Sequence, residues 1–428
     1  MKAHYACGTP EHFVTRRSLL SGLTAGCGAA AIGFGPLHRA MAKKLQEQNR
    51  RMLVLFLRGG VSQLESWDPK PKTDTGGPFR AIPTSVPGIH ISELLPHTAQ
   101  QMHRLALVRS VNTRESNHGK GVYLMTHGHR EEAAIERPHL GALCSRLAGS
   151  PDNPLPGYIR ITPGGSGSDG NDAAFLGPKY AGVVLGDGRP PQYTSAPDGL
   201  DAASAARRNR FRQFANSQFD RRRQTAATQA YTFSFDQAAQ LMQRRDVFDV
   251  SQEPQKFHDR YGTHDFGRHC LLARRLLENG VTYVQVDHRN YDTHFENFNF
   301  HIEQLGEFDK TFATLTDDLA QRGMLESTLL VVMAEFGRTP KINARLGRDH
   351  WGTAWSIAMG GCGIQSQAVI GKTNNRGTRV EDREVDEGHL FHTYLQALGI
   401  ESTEPIEVDG RPMQITNPAR SAINEVLA

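Results

Sequence analysis

Short, largely apolar runs recur along the chain, and each ends at glycines or at a group of polar residues. Four of them lie at residues 52–57, 281–286, 328–333 and 355–359. Runs of this length without a strict polar–apolar alternation are typical of strands buried on both faces of a sheet. The chain is therefore constrained to a fold with a covered sheet at its centre.

Stretches with a helical pattern alternate with these runs. They cover residues 270–278, 308–321 and 391–398, and Gly280 and Gly323 follow the first two, as is common at the end of a helix. Helices that alternate with buried strands predict an α/β fold, a doubly wound, mostly parallel sheet flanked by helices. We expect one such domain over residues 43–428.

Two segments of different composition interrupt the alternation between about residues 150 and 245. Residues 151–170 are rich in proline, glycine, serine and aspartate, which predicts a surface loop. Residues 202–245 are rich in alanine, arginine and glutamine and predict a helical insertion. The run Arg221-Arg222-Arg223 could contact a polyanion, but an exposed, solvated helix face is the interpretation that such runs favour.

The first forty-two residues have the features of an export signal. The pair Arg16-Arg17 precedes two leucines, a stretch rich in glycine and alanine, and the small-residue triplet Ala40-Met41-Ala42. Paired arginines in this context predict the twin-arginine route, which carries folded proteins out of the cytoplasm. We therefore expect a periplasmic or extracellular protein, with signal cleavage favoured over lipid anchoring at Cys27.

Cleavage after Ala42 would change the charge balance and the number of cysteines in the mature protein. It removes four basic residues and Glu11, which leaves 45 basic and 44 acidic residues, so nothing electrostatic indicates nucleic acid. The remaining cysteines, Cys144, Cys270 and Cys362, allow one disulfide at most and form no Cys-x-x-Cys pair. No later apolar run approaches the length of a membrane span.

Polar residues collect directly beside the apolar runs, where ligands bind in sheets of this kind. The residues concerned are Glu65 and Asp68, then Ser116, Asn117, His118 and Lys120, then Asp292 and His294, then Glu335 and Arg338, and finally Arg348, Asp349 and His350. Taken singly, such residues have ordinary structural roles, as a helix cap for Asp292 or a loop salt bridge for Asp349-His350. Carboxylates and imidazoles that converge from several strand ends instead predict a divalent-metal site.

Several motifs resemble those of a known family. They are Gly59-Gly60-x-Ser62-Gln63, Trp67-Asp68-Pro69-Lys70-Pro71, Asn117-His118-Gly119, Tyr291-Asp292-Thr293-His294, Glu335-Phe336-Gly337-Arg338-Thr339-Pro340 and Gly347-Arg348-Asp349-His350-Trp351. Together they are similar to the twin-arginine-exported domain-of-unknown-function family of sulfatase-like proteins, within the alkaline phosphatase-like superfamily. The resemblance extends over roughly residues 10–400.

The resemblance implies an alkaline phosphatase-like or sulfatase-like fold and a divalent metal, zinc, calcium or magnesium, that assists the hydrolysis of sulfate or phosphate esters. It implies Asp292, His294, Glu335 and His350 as metal ligands. Where the superfamily has a metal-binding aspartate this chain has Arg58, and Glu65 or Asp68 would then supply the missing oxygen ligand.

The nucleophile is where the sequence departs from the superfamily. Its position falls near Asn117 or His118, which are neither a hydroxyl nor a thiol, so Ser116 would substitute, or His118 would itself act as nucleophile or general acid. Lys120, Arg338 and Arg348 would suit an anionic substrate.

Two functions follow from the sequence. The first is a secreted metal-dependent hydrolase of an anionic small-molecule or glycan ester, delivered by the twin-arginine machinery. The alternative is a non-catalytic exported module that keeps the sulfatase-like fold and binds carbohydrates or anions.

Overall fold

The apolar runs of the sequence form the central strands of an eight-stranded sheet in the computed structural model. The structure describes residues 49–428, apart from 151, 165–171, 187–188, 190–198, 200, 221–239 and 409. The predicted export signal, Cys27 and the Arg221-Arg222-Arg223 run lie outside the described residues.

The strands and helices are numbered in chain order. The strands are β1 (Arg51–Leu57), β2 (Ala81–Pro83), β3 (His90–Ser92), β4 (Leu105–Val111), β5 (Tyr158–Ile161), β6 (Val183–Leu185), β7 (Tyr283–His288), β8 (Thr328–Met333), β9 (Gly337–Arg338), β10 (His350–Trp351), β11 (Trp355–Gly361), β12 (Val369–Ile370), β13 (Lys372–Thr373), β14 (Val380–Asp382), β15 (Ile406–Val408) and β16 (Arg411–Met413). The helices are α1 (Pro96–Gln101), α2 (His118–His127), α3 (Leu140–Leu147), α4 (Ala202–Asp220), α5 (Gln255–Tyr261), α6 (Asp265–Glu278), α7 (Asn297–Gln321) and α8 (Glu387–Ala397).

The order of the strands in the central sheet is β12-β4-β11-β8-β1-β7-β5-β6. Strand β11 pairs antiparallel with β4 and β8, and the other pairings in the sheet are parallel. The predicted mostly parallel sheet is thus confirmed. Because β11 runs against its neighbours, its first residue, Trp355, lies opposite Val111 at the carboxyl end of β4. The loop that leads into β11 therefore joins the edge of the sheet where the parallel strands end.

Both faces of the sheet are covered, which explains the continuous apolar runs. On one face Leu53, Leu55 and Leu57 of β1 share a core with apolar residues of α6 and α7. On the other face His139, next to α3, stacks on Tyr158 of β5 and packs edge-on against Tyr283 of β7. Full burial of a side chain as large as leucine contributes about 1.5–3 kcal/mol, so this central layer supplies much of the hydrophobic stabilisation.

The three predicted helices all form, and each begins earlier than the apolar pattern indicated, α8 at Glu387. Helix α6 begins at Asp265, where the His264 side chain caps the backbone N–H of Gly267. Helix α7 begins at Asn297 and buries His301 in its second turn. A buried histidine at a core position does not register as apolar, so the sequence pattern began at Phe308.

The segment from about 150 to 245 contributes to the sheet as well as to the surface. Strand β5 pairs with β7 inside residues that the composition assigned to a loop, and β6 adds the edge strand beyond it. The flanking prolines and glycines hide so short a run, Tyr-Ile-Arg-Ile, from a composition argument. Helix α4 and residues 240–243 are described helical parts of the segment, and Phe211 and Phe214 on α4 are exposed.

Two further expectations concerned disulfide bonds and membrane-spanning segments. Cys144, Cys270 and Cys362 are buried and free in the structure. Among the described residues, no helix has both the length and the apolar character needed to cross a membrane.

Candidate metal centre

Four loops meet at the edge of the sheet where the parallel strands end. His118 is the first residue of α2, which follows β4, and Asp292 lies in the loop after β7. Glu335 comes two residues after the end of β8, and His350 is in β10, just before β11. These residues are far apart in sequence and adjacent in space because of the strand order described above.

His118, Asp292 and His350 form a compact group of possible ligands. Nε2 of His118 lies 3.2 Å from Oδ2 of Asp292, and Nε2 of His350 lies 3.1 Å from Oδ1 of the same carboxylate. One ligand atom from each of the three residues lies within 4.8 Å of the others. His294 is close to this group, with its Nε2 3.1 Å from Asp292 Oδ1 and 3.0 Å from His350 Nε2.

The opposite nitrogen of each imidazole is hydrogen-bonded to an atom that can only accept. Nδ1 of His118 donates to Glu335 Oε1 (2.9 Å) and Nδ1 of His350 donates to the carbonyl of Ser116 (2.7 Å). Nδ1 of His294 likewise donates to Asp349 Oδ1 (2.7 Å). In a neutral imidazole this leaves the lone pair on Nε2, so three nitrogen lone pairs and a carboxylate point at one another. Acceptors that converge in this way repel each other unless a proton or a cation lies among them, and Arg338, which donates to Asp292 Oδ1, offsets part of this repulsion.

The charges around Asp292 keep it ionised. Arg338 donates to Asp292 Oδ1 over 2.6 Å. Although burial raises the pKa of Asp292, the hydrogen bond and charge of Arg338 outweigh that effect and lower the pKa to about 2. Burial also lowers the pKa of His350, which favours its neutral form.

His118 is the exception among the imidazoles. Its hydrogen bond to Glu335 and the two nearby carboxylates raise the pKa of His118 above its usual value. A proton on Nε2 would lie between the imidazole and Asp292, at the position that a metal ion would take. Metal binding and protonation of His118 therefore compete.

Glu335 and Phe336 contact the histidines of this centre and hold them in position. Oε1 of Glu335 accepts hydrogen bonds from His118 and from the backbone N–H of Gly59 (2.9 Å), which ties α2 to the end of β1. No described residue donates to Oε2, which is buried. The ring of Phe336 packs against His118 and His350 at centroid distances of 4.9 and 4.4 Å, which fixes the planes of both imidazoles.

The structure places Glu65 and Arg348 in a different environment. Both side chains are completely buried, and both oxygens of Glu65 accept from Arg348 over 2.7 and 3.0 Å. Asn297 donates a further hydrogen bond to Oε2 of Glu65. This carboxylate is neutralised by its arginine and does not face the imidazole group.

The other predicted site residues surround the start of α2. Asn117 is the N-cap of the helix, and its side-chain oxygen accepts from the backbone N–H of Lys120. Lys120 is exposed in the first turn. Ser116 contributes its carbonyl to His350. The donors of Arg338 are taken up by Asp292 and by the carbonyls of Gly59, Gly60 and Arg348, so Arg338 is a structural part of the centre.

The sequence placed Asp349 in the last polar group without giving it a role in the site, and it gave no indication of Phe336. Asp349 adjoins His350 in the chain yet orients His294, and the hydrogen bond from His294 lowers the pKa of Asp349. A carboxylate next to a candidate metal histidine was the available signal. Phe336 had no comparable signal, because an apolar ring beside polar ligands is visible only in three dimensions.

Several solved structures are similar in fold. The PsFucS1 sulfatase from Pseudoalteromonas sp. matches with 13% identity and a TM-score of 0.39, over 91% of this chain and 75% of its own. The lipoteichoic acid synthase LtaP from Listeria monocytogenes matches with 7% identity and a TM-score of 0.41, over 88% and 81%. A protein in the alkaline phosphatase superfamily from Vibrio parahaemolyticus matches with 9% identity and a TM-score of 0.36, over 90% and 79%.

Sequence comparison gives the family directly. No protein of curated function matches the chain. The model of a protein family of unknown function, DUF1501, matches residues 49–427. Because this match includes nearly all of the described residues, and as the motifs predicted, the chain belongs to the DUF1501 family.

Proposed function

We propose that this protein is a metal-dependent hydrolase of sulfate or phosphate esters, with His118, Asp292 and His350 as metal ligands and His294 as a further ligand. The proposal rests on the convergence of imidazole Nε2 atoms on the Asp292 carboxylate. The Nδ1 atom of each of these imidazoles donates to an acceptor, which fixes the orientation of the ring. Imidazoles oriented by carboxylates and carbonyls in this way are characteristic of metal sites.

The residues fit a zinc-like ion better than calcium or magnesium. Imidazole nitrogens with one carboxylate suit zinc and its neighbours, whereas calcium and magnesium prefer oxygen ligands throughout. Glu65 is left out of the proposed ligand set because Arg348 occupies both of its oxygens. When bound, such a metal supplies Lewis-acid polarisation of the ester and activation of water.

The start of α2 is the proposed binding site for the anionic ester group. The N-terminus of a helix carries a partial positive charge, and Lys120 in its first turn adds a full one. Arg338 and Arg348 bond to other parts of the protein, so we assign substrate binding to Lys120. The Ser116 carbonyl lies on the Nδ1 side of His350, away from the Nε2 atoms. We therefore assign Ser116 to orienting His350 and propose water as the nucleophile.

The export signal supports a site of action outside the cytoplasm. With Arg16-Arg17 and the Ala40-Met41-Ala42 triplet as the proposed signal, the substrates would be anionic small molecules or glycan esters of the cell envelope or its surroundings. Mass spectrometry of the mature protein tests this directly: a chain that begins at Lys43 without an acyl group supports it, and an acylated Cys27 contradicts it.

The activity is tested by loading the purified protein with Zn²⁺ and measuring turnover of aryl sulfates and aryl phosphates. The Asp292→Asn variant should lose at least a hundredfold in kcat/KM, because it removes the charge on which the ligands converge. The matched Asp265→Asn variant, at an exposed position on α6, should keep full activity. Absence of turnover by the loaded wild-type protein, with glycan binding that survives Asp292→Asn, would instead support the non-catalytic module.

A further inference from the structure

A second concave site lies along α2, next to the candidate metal centre. It is a cleft of about 670 Å³, which is within the range typical of small-molecule sites. One wall is a helical stripe that begins at Gly119, the neighbour of His118, and continues through Tyr123 to His127. At a rise of 1.5 Å per residue, this wall extends roughly 12 Å from the metal centre.

His139, which lines the cleft, carries a buried hydrogen-bond donor. His139 is 1% exposed, and its Nδ1 accepts from the backbone N–H of Gly141 over 2.9 Å, which leaves the imidazole proton on Nε2. Nε2 is buried and finds no acceptor among the described residues. Stacking on Tyr158 at 4.8 Å holds the ring in place. A buried N–H of this kind is costly while it has no acceptor, and a small shift of the neighbouring side chains would let a ligand oxygen in the cleft accept from it.

Two aromatic rings of the helical wall stack on each other, so their edges and outer faces are available to line the cleft. The rings of Tyr123 and His127 stack with a centroid distance of 4.0 Å and an interplanar angle of 7°. Nδ1 of His127 lies 3.0 Å from the Tyr123 carbonyl, to which it must donate, so its Nε2 is an acceptor. The cleft thus combines an apolar ring surface with a donor and an acceptor, which is what the alternating C–H faces and hydroxyl edges of a sugar ring require.

The charges of the cleft disfavour an anionic occupant. Its charged lining residues are Glu131, Glu132, Glu136, Arg137, Arg160 and Asp172. Four carboxylates against two guanidinium groups repel sulfate or phosphate but accept hydrogen bonds from hydroxyls or an amine. Arg160 and Asp172 lie 3.6 Å apart as an ion pair, so the excess negative charge is on the glutamates at the rim.

We propose that this cleft binds the sugar part of a glycan ester, an uncharged or amine-bearing ring, while the ester group reaches the metal centre at the start of α2. The assignment rests on the proposed function for the destination of the ester, but the sugar-binding cleft itself does not require the metal. Gly119 and His118 place the two sites side by side, one for hydroxyls and one for the anion.

The test measures binding of metal-free protein to an array of uncharged and amino-sugar oligosaccharides, followed by titration of the positive ones. His139→Asn removes the donor but keeps an N-cap acceptor for Gly141, and Tyr123→Leu removes the ring stack on the surface of α2. Each should weaken binding at least tenfold with an unchanged circular dichroism spectrum. Tyr180→Leu, a tyrosine that does not line the cleft, and Asp292→Asn should each retain wild-type affinity.

Binding that is absent throughout the array, or that is equal in wild type, His139→Asn and Tyr123→Leu, would overturn the assignment. Loss of binding in Asp292→Asn, or binding that appears only after Zn²⁺ is added, would also overturn it, because the sugar would then be held at the metal centre. Metal binding and turnover that persist in Asp292→Asn, with sugar binding intact, would contradict the proposed function alone, so the two failures are distinguishable.

Discussion

The imidazole of His118 and the carboxylate of Glu335 lie 217 positions apart in the sequence and 2.9 Å apart in the structure, from Nδ1 to Oε1. Strand β11 separates the strands that precede them, β4 and β8. The same carboxylate oxygen accepts from Gly59 at the end of β1. One hydrogen-bonded group therefore sets the position of α2 relative to three strands of the sheet, and with it the direction of the His118 Nε2 lone pair.

Replacing this carboxylate should weaken the metal centre without removing a ligand. In Glu335→Gln the amide is a poorer acceptor for His118, so we expect metal affinity to fall about 10–100-fold, as for other residues that orient ligands. Competition with a chelator of known affinity measures the change. Glu326→Gln, an exposed position in the turn before β8, is the matched control. An affinity within twofold of wild type would contradict the positioning role of Glu335.

The packing of α2 gives a test that leaves every polar group in place. A Cβ added at Gly121 would lie 3.0 Å from the carbonyl oxygen of Glu335 and 3.1 Å from the Cβ of Glu335. A Cβ added at Gly119 would have the side-chain oxygen of Asn117 as its nearest neighbour, at 3.6 Å. We expect Gly121→Ala to push α2 from the Glu335 loop and to lower metal affinity severalfold. Gly119→Ala should change affinity little and stabilise the helix by up to about 1 kcal/mol. Equal affinities of the two variants would mean that this contact does not position His118.

The buried Glu65–Arg348 pair should affect stability and not metal binding. Breaking it in Arg348→Met leaves an uncompensated carboxylate, and we expect a loss of about 3–5 kcal/mol in the free energy of unfolding, measured in denaturant. The exposed Arg80–Glu93 pair offers the comparison, because Arg80→Met should cost about 0–1 kcal/mol. Metal stoichiometry should stay unchanged in the folded Glu65→Gln variant. A folded Glu65→Gln protein without metal would return Glu65 to the ligand set.

Acid sensitivity should arise in part from His301. Its Nε2 accepts from the backbone N–H of Ser62 and its Nδ1 donates to the Asn297 carbonyl, and burial lowers its pKa to about 4. Between pH 6.5 and 4 His301 is protonated in the unfolded chain and neutral in the folded protein. The free energy of unfolding therefore falls as the pH falls through this range. The slope from this residue is at most about 1.4 kcal/mol per pH unit.

Unfolding free energies of wild type and His301→Gln at several pH values measure this contribution. The variant should have a lower stability at neutral pH but a shallower slope between pH 6.5 and 4. The exposed His90→Gln variant is the control. Parallel slopes in wild type and His301→Gln would show that His301 is not the group responsible.

The strands could be predicted because burial on both faces leaves continuous apolar runs. The run at residues 328–333 coincides with β8, and the run at 355–359 lies within β11. The direction of β11 was not predictable, because an antiparallel strand buried on both faces has the same composition as a parallel one. That direction brings His350 to the same edge as His118 and Asp292.

The sequence indicated which residues lie near the candidate site, but it did not indicate how their side chains pair with one another. Residues His118, Asp292, His294, Glu335 and His350 meet at one edge because each adjoins a strand end. Glu65 and Arg348 belonged to equally polar clusters, and only the fold shows that they neutralise each other. Pairing between distant charges depends on side-chain positions that no local spacing encodes.

We propose that His118, Asp292 and His350 hold one cation. Anomalous diffraction at the zinc absorption edge, from crystals of the Zn²⁺-loaded protein, would locate it. We expect a single strong peak within ligand distance of the Nε2 atoms of His118 and His350 and of the Asp292 carboxylate, about 2.0–2.2 Å from each. A fully loaded crystal with no peak at this position, or with its peak elsewhere in the molecule, would contradict this proposal.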